Sequence, residues 1–171
     1  SVLSLFAAGS HTTAQASAMM LKIFAENPAQ LQLLRDQPDL IENAVNECLR
    51  YETGGKFIIR FACEDLELDG ITIPKGKAVM VSLAAANRDP AVFPDPDHFD
   101  ITRQNLGKIA SFGHGIYYCT GAHIARTVLR AELQALLDKT QGALTQTEPT
   151  QWRDNDLIFR SLTRLVLRFS H

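Results

Sequence analysis

The sequence has 171 residues, of which 46% are hydrophobic and 21% are charged. Lys and Arg number 17 against 19 Asp and Glu, which gives a formal net charge of −2 at pH 7. This balance, with no long basic run, argues against a dedicated binder of nucleic acid or of anionic membranes, because both need clustered Lys and Arg. The hydrophobic content is sufficient for a core, so we expect a single domain over residues 1–171.

The apolar stretches are too short to span a bilayer, and no basic segment precedes the first of them. Neither a transmembrane helix nor a secretory signal is therefore predicted. The chain starts at Ser1 rather than Met, which suggests an upstream segment that is missing or supplied by a partner subunit. Three widely spaced cysteines, Cys48, Cys63 and Cys119, form no CxxC pair, which favours a reducing cytoplasm over a disulfide framework.

The first third of the chain predicts three helices. Residues 1–26 form a long helix that stops at Pro28, and the helix-weakening residues 9–13 predict a local kink or opening in it. A short helix over residues 28–37 and a third over residues 38–51 follow, each beginning with a proline.

Short β runs separated by turns come next and predict a small antiparallel sheet. The runs are residues 57–63, 66–68, 71–73 and 79–83. Residues 88–118 are rich in Pro, Asp and Asn and lack periodicity, which indicates a long ordered meander. A helix over residues 119–139 and strands at 157–159 and 165–169 complete the chain, so the predicted class is mainly α with a small antiparallel β-sheet.

A glycine-rich loop from Phe112 to Gly121 brings Cys119 to the predicted start of the last long helix. The positive end of a helix and its free N–H groups stabilise a thiolate, which is the form of cysteine that binds metals. Gly113 and Gly115 permit backbone conformations that could turn N–H groups toward the sulfur, and Gly121 leaves room for a flat ligand. The pattern predicts a thiolate socket.

This loop resembles the cysteine loop of the cytochrome P-450 superfamily. The family pattern Phe-x-x-Gly-x-x-x-Cys-x-Gly is matched by Phe112, Gly115, Cys119 and Gly121. Glu47 and Arg50 give the family's Glu-x-x-Arg, and residues 8–13, Ala-Gly-Ser-His-Thr-Thr, resemble its Ala-Gly-x-acid-Thr-Thr. The resemblance covers essentially the whole chain, but only the C-terminal, haem-binding part of the family's fold.

The resemblance implies a bacterial, soluble haem-thiolate monooxygenase. Such an enzyme inserts one oxygen atom from dioxygen into a small apolar organic substrate, with electrons from a ferredoxin-like or flavin-containing donor. Cys119 would be the axial ligand of haem b, iron protoporphyrin IX, and would favour O–O cleavage. Lys108, Arg126 and Arg130 could form a basic surface that attracts an acidic donor.

The resemblance also assigns roles to further residues, position by position. The expected haem-binding residues are Arg60, Phe112, Gly113, His114, Gly115, Tyr117, Cys119 and Gly121. The expected substrate contacts, all apolar, are Ala8, Phe57, Ile58, Ile158 and Phe159. The residues expected to anchor the meander are Glu47, Arg50, His98 and Arg103.

Thr12 and His11 are the expected catalytic residues for proton delivery. A Thr12 hydroxyl in an opened helix could hold water, whereas in a regular helix it would bond back to its own backbone. The sequence departs from the family because His11 replaces the usual acid, although histidine also carries protons near neutral pH. It departs again at Tyr117, which replaces a basic residue, and at His98, which replaces an arginine.

Two other interpretations remain open on the sequence alone. His114, Cys119 and His123 have a spacing that suits a small zinc-binding structural domain, although no fourth ligand is evident. The chain could also be a truncated haem-binding module that is non-catalytic or depends on peroxide, because no upstream helices cover the distal face.

Overall fold

The computed structural model describes residues Val2 to Ser170, with side chains from Phe6 onward. This part of the chain has five α-helices, and 3-10 turns occur at Pro38–Leu40, Leu106–Lys108 and Gly115–Tyr117. The helices are α1 (Val2–Glu26), α2 (Pro28–Asp36), α3 (Ile41–Tyr51), α4 (Leu83–Ala86) and α5 (Ala122–Lys139). None of these helices is long and apolar enough to cross a membrane.

The predicted interruption of the first helix is wrong. Helix α1 continues through residues 9–13 to Glu26, and the predicted residue 1 lies outside the described part of the chain. The hydroxyls of Ser10 and Thr12 donate to the carbonyl oxygens of Phe6 and Ala8, at 2.7 and 2.6 Å. Because these hydroxyls bond within the helix, the polar residues are accommodated without opening it.

The core lies where the second half of α1 packs against α3 and α5. Met20, Ile23 and Phe24 of α1 are fully buried there, together with Val45 of α3 and Leu133 of α5. The first half of α1 is different, because its described side chains from Phe6 to Thr12 are exposed. The C-terminal half of α1 is therefore part of the core, whereas its N-terminal half is open to solvent.

All strands are antiparallel, and they form four separate two-stranded pairs. The strands are β1 (Phe57–Phe61), β2 (Leu66–Leu68), β3 (Ile71–Ile73), β4 (Ala78–Ser82), β5 (Leu144–Gln146), β6 (Gln151–Trp152), β7 (Leu162–Arg164) and β8 (Leu167–Phe169). Strand β1 pairs with β4, β2 with β3, β5 with β8 and β6 with β7. The predicted single small sheet is thus replaced by four ladders, although its strand direction and its first four strands are confirmed.

Two boundaries near the end of the chain differ from the prediction. Residues 157–159 form no strand and have a single bridge, from Phe159 to Gly55. Helix α5 begins at Ala122 with Gly121 as its N-cap, so Cys119 lies in the loop before the helix. The extra residues are used by the turn in which the Ala122 N–H donates to the Cys119 carbonyl at 3.2 Å.

Candidate functional site

An open cleft of about 480 Å³ lies between the exposed half of α1 and the cysteine loop. Cys119 lines it from the loop side and Thr12 from the helix side. The other predicted site residues that line it are Ala8, Phe57, Ile58, Arg60, Phe112, Gly113, Tyr117, Ile158 and Phe159. The fold therefore brings predicted residues from four parts of the chain to one apolar cavity.

Four of the residues predicted to be catalytic or to bind haem do not line the cleft. His114 and Gly115 lie in the cysteine loop, Gly121 caps α5, and His11 lines a small neighbouring cavity of about 40 Å³ together with Thr12. The ring of His11 packs edge-on against Phe159, with 6.2 Å between centroids. His11 therefore lies beside the cleft, next to Thr12 in the chain, and does not line the cleft itself.

The cysteine loop is held by its own backbone. The Cys119 N–H donates to the Phe112 carbonyl at 2.9 Å, and the Tyr118 N–H donates to the Gly115 carbonyl at 3.0 Å. Gly113 and Gly115 have φ angles of 74° and 68°, in the left-handed region that favours glycine. The glycines therefore permit the turn that presents Cys119 to the cleft.

An arginine fixes the outer side of this loop. The Arg126 guanidinium donates to Asn46 Oδ1 at 2.8 Å and to the Tyr118 hydroxyl at 3.1 Å, and it lies 4.5 Å from the Phe112 ring centroid. Arg130 is 3.4 Å from the Glu42 carboxylate. Arg126 and Arg130, two of the three residues predicted to form a basic surface, therefore also contact other side chains of the chain.

Arg60 is the cation that lines the cleft. It is on β1, and its guanidinium lies 4.9 Å from the ring centroid of Tyr117. A cation over an aromatic face is electrostatically favourable. One Arg60 N–H donates to the Ile59 carbonyl at 3.0 Å, and a guanidinium has further N–H donors for an acidic ligand. The side chain of His114 is exposed on the same loop as Tyr117.

Glu47 and Arg50 form a fully buried ion pair on α3. The Arg50 Nε and Nη2 atoms donate to the two Glu47 carboxylate oxygens at 2.7 and 2.8 Å, and both side chains have 0% exposure. The remaining Arg50 donors reach the carbonyls of Asn87, Pro96 and His98 at 2.9, 2.8 and 3.2 Å. The pair therefore ties α3 to the meander.

Arg103 joins this pair from the meander. Its Nε atom donates to Glu47 Oε1 at 3.1 Å, and its Nη2 atom donates to the carbonyl of His98 at 2.8 Å. His98 takes part through its backbone only, and its side chain is exposed. Arg103 thus supplies the second guanidinium at this site, beside Arg50.

Asn87 was not identified from the sequence. Its buried amide donates to Thr53 Oγ1 at 2.6 Å and to Ser111 Oγ at 2.8 Å, and accepts from the Ala110 N–H at 2.7 Å. These bonds hold the residues just before Phe112 against the end of α3. No local pattern marks such an asparagine, because its partners are 23 to 34 residues away.

Small residues of the cleft were also missed. They are Thr13, Ala16, Gly54, Gly55, Ser111 and Ala125. Ala16 and Ala125 bring α1 and α5 to the cavity with small side chains, which leaves apolar space there. The sequence signal for this part of the cleft is the repeat of small residues on one face of α1, at Ala8, Thr12 and Ala16.

The three cysteines have different surroundings. Cys48 is buried in the core, and this burial, followed by the charge of neighbouring Glu47, raises the pKa of its thiol well above the usual value. Cys63 is exposed and does not line the cleft. Cys119 is the cysteine whose side chain reaches the cleft, and the donor it offers there is a soft sulfur that suits iron.

The zinc interpretation is wrong. Among the residues that the structure describes, no three His, Cys, Asp or Glu side chains lie close enough together to hold a metal ion. The exposed His123 is on α5, and its carbonyl accepts a hydrogen bond from the Thr127 hydroxyl within that helix. The spacing of His114, Cys119 and His123 along the chain therefore does not become a ligand set.

Comparison with known proteins points to one family. The family model "Cytochrome P450" matches residues 1–159. The chain is 39% identical over 163 residues to the biotin biosynthesis cytochrome P450 of Bacillus subtilis and 40% identical over 168 residues to the cytochrome P450 monooxygenase PikC of Streptomyces venezuelae. These alignments cover 95% and 96% of this chain but 40% of each relative.

Solved structures give the same result. The chain superimposes with a TM-score of 0.87 on P450BioI in complex with an acyl carrier protein carrying hexadec-9Z-enoic acid, at 39% identity over 95% of this chain and 42% of that one. The TM-score is 0.91 with CYP150A6 of Mycobacterium marinum, at 31% identity over 97% of this chain and 43% of that one. The chain belongs to the cytochrome P450 family, and it spans about 40% of the length of the curated relatives it matches.

Proposed function

We propose that this chain is the haem-binding domain of a haem-thiolate monooxygenase, with Cys119 as the axial ligand. The observation that carries the proposal is that Cys119, Arg60 and Thr12, from three separate elements, line one apolar cleft. When bound, haem b supplies the oxygen and electron chemistry that amino-acid side chains lack. The chain supplies the residues that hold the haem, the groups that handle the proton and the apolar side chains that contact the substrate.

The residues of the cleft fit a flat, mostly apolar group with an acidic edge. A soft thiol faces the cavity from Cys119, and the small side chains of Ala16 and Ala125 leave room beside it. Arg60 provides a positive charge for carboxylates, which need such partners once they are buried. We assign the propionates to Arg60, with Tyr117 and His114 as further donors from the loop.

Thr12 and His11 are proposed to handle the proton. The Thr12 hydroxyl donates to the Ala8 carbonyl at 2.6 Å, so its lone pairs stay available to accept a hydrogen bond from water in the cleft. His11 lines the small cavity that Thr12 also lines, which places its imidazole beside the hydroxyl that it would serve as a proton donor or acceptor.

The substrate is proposed to be a small apolar organic molecule. Phe57, Ile58, Ile158 and Phe159 form the apolar wall, and Ala8 lies opposite on α1. P450BioI, a similar structure, is in complex with an acyl carrier protein that carries a long-chain fatty acid, which supports an extended hydrocarbon as one candidate class.

The electrons are proposed to come from a separate ferredoxin-like or flavin-containing donor in the cytoplasm. Lys108 is exposed, and the Arg130 side chain on α5 stays exposed despite its pairing with Glu42. Exposed apolar side chains elsewhere support a covering segment or partner subunit. They include Phe6, Phe61 and Ile71, at 72%, 68% and 67% exposure.

A haemin titration of the purified chain tests this function. We expect binding of one haem that is lost in Cys119→Ser and kept in Cys63→Ser, the matched control outside the cleft. Arg60→Gln should weaken binding by about tenfold, because a charge-assisted hydrogen bond contributes roughly 1.5 kcal/mol or more. Equal haem binding by wild type and Cys119→Ser would contradict the proposal, and a haem-loaded chain that reacts only with peroxide would favour the module alternative.

A further inference from the structure

The segment between β6 and β7 forms one edge of the cleft, and individual contacts rather than a strand ladder hold it. Within it, the N–H groups of Ile158 and Phe159 donate to the Asp156 carboxylate at 3.1 and 2.8 Å. Ile158 and Phe159 line the cavity from this segment. The Lys56 N–H donates to the Ile158 carbonyl at 2.7 Å, and the Arg160 N–H donates to the Gly54 carbonyl at 2.8 Å. Because no regular ladder supports residues 156–160, their position depends on such single contacts.

An ion pair adds a side-chain anchor at this point. Glu52 follows α3 directly, and its carboxylate lies 2.8 Å from the Nε atom of Arg160. The Glu52 side chain is only 14% exposed, whereas that of Arg160 is 45% exposed. Arg160 directly follows Phe159 in the chain, so the ion pair holds the backbone next to a residue that lines the cleft.

Trp152 completes the anchor from β6. The Arg160 guanidinium lies 4.2 Å from the Trp152 ring centroid, and the Lys22 ammonium of α1 lies 5.7 Å from it. Lys22 is itself 2.6 Å from the Glu26 carboxylate. Three elements, α1, α3 and the β6–β7 hairpin, therefore meet at one cluster of charges around an aromatic ring.

We propose that Glu52 and Arg160 are positioning residues that fix the Ile158–Phe159 wall and thereby determine which apolar substrates the cleft admits. This inference rests on the proposed function of the cleft as a substrate site. Neither residue lines the cleft itself, so each acts through the segment it holds.

Stability alone does not account for the pair. Burial raises the pKa of Glu52, although Arg160, Lys22 and Arg88 lower it; the charge of Glu26 raises it further. A carboxyl whose pKa is raised by folding contributes stability below its unfolded pKa and loses that contribution as the pH rises through the folded value. Ionisation of the buried Glu52 carboxyl is therefore not a source of stability, and the role left for the pair is to define the geometry of the segment.

Trp152 is the only tryptophan of the chain, so its fluorescence reports this cluster without haem. Glu52→Gln is the decisive variant, because it leaves Arg160 and Trp152 in place. We expect acrylamide to quench Trp152 faster in Glu52→Gln and in Arg160→Gln, with no further increase in the double variant. Arg164→Gln is the matched control, since it breaks the exposed Arg164–Glu148 pair of the same hairpin.

An acid titration gives a second readout. The emission of wild-type Trp152 should change with a midpoint above the usual range of a glutamate, and the change should be lost in Glu52→Gln but kept in Glu26→Gln. Thermal unfolding at neutral pH should show that Glu52→Gln remains folded. Unchanged quenching and an unchanged titration in folded Glu52→Gln, or an equal effect of Arg164→Gln, would overturn the positioning role.

The effect on selectivity is measured with a homologous series of straight-chain fatty acids as probes of the haem-loaded chain, followed by the ligand-induced shift of its absorption. Glu52→Gln should change the ratio of dissociation constants between short and long chains by about tenfold. An identical ratio would overturn the selectivity role. A wild-type chain that gives no shift with any probe would overturn the proposed function and the selectivity role together, whereas the Trp152 result decides the positioning role by itself.

Discussion

At the scale of single residues, Glu47 and Arg50 form an ion pair whose two side chains are both fully buried. The two side chains satisfy their hydrogen bonds with each other and with meander carbonyls. A buried ion pair is worth little against apolar residues, but the loss of one partner leaves an uncompensated charge. The pair therefore makes the meander depend on α3.

Glu47→Gln should lower the free energy of unfolding by about 3 kcal/mol, because it leaves Arg50 and Arg103 without their carboxylate. Urea denaturation of both proteins measures this difference. Glu42→Gln on the same helix is the control, since its pair with Arg130 is exposed and should contribute less than about 1 kcal/mol. Equal losses in the two variants would show that burial does not govern these pairs.

His11→Asp tests the departure from the family's acid. An aspartate beside Thr12 is expected to raise the amount of product formed per oxygen consumed, since an acid is the residue usually found before this threonine in the family. The comparison is oxygen uptake against product in the haem-loaded protein with its electron donor. Unchanged or lower coupling would argue that His11 delivers protons as well as an acid does.

At the scale of elements, the cysteine loop depends on backbone conformation. Gly115→Ala places a Cβ at φ 68°, where it costs about 1–2 kcal/mol, although nothing lies within 4 Å of that Cβ. We expect lower stability and weaker haem binding, measured by thermal unfolding and haemin titration. Gly107→Ala is the control, because its Cβ would also meet no atom and its φ is not in the left-handed region. Equal behaviour of the two variants would exclude a conformational role for Gly115.

Gly142→Ala tests the pairing of β5 with β8. A Cβ at this position would lie 2.6 Å from the backbone oxygen of Ser170, which accepts a hydrogen bond from the Gly142 N–H at 3.1 Å. The close approach leaves no room for a methyl group without a shift of the ladder. Thermal unfolding should show a clear loss of stability, and wild-type stability would contradict the close contact.

Helix boundaries were predictable where a local residue determines them. Pro28 starts α2, and α3 ends at Tyr51 just before Gly54. The strands β5, β6 and β7 have two or three residues each, which is too short for a pattern of alternation to appear. The start of α5 was placed too early because the turn at Cys119 depends on long-range packing of the loop rather than on helix propensity.

The site shows the same division. The cysteine loop and the Glu47–Arg50 pair follow from short motifs, so both could be identified in the sequence. Asn87 could not, because its partners are 23 to 34 residues away. Arg126 was expected on a basic surface, but its hydrogen bond to Asn46, 80 residues away, could not be predicted. The continuity of α1 could not be deduced either, since a threonine in a helix and a threonine in an opened helix have the same sequence.

At the scale of the whole molecule, the chain carries an open cleft at one side of a packed helical core. The buried part of α1, α3 and α5 form the core, while the exposed part of α1 and the cysteine loop form the walls of the cleft. The chain spans about 40% of its curated relatives, so the activity of the whole protein is a proposal about how this cleft is completed.

The most direct test is the absorption spectrum of the purified chain, loaded with haem, reduced and exposed to carbon monoxide. Ligation by the Cys119 thiolate predicts a strongly red-shifted Soret band that is lost in Cys119→Ser and retained in Cys63→Ser. A Soret band that is not shifted, or one that persists in Cys119→Ser, would contradict a haem-thiolate site in this chain.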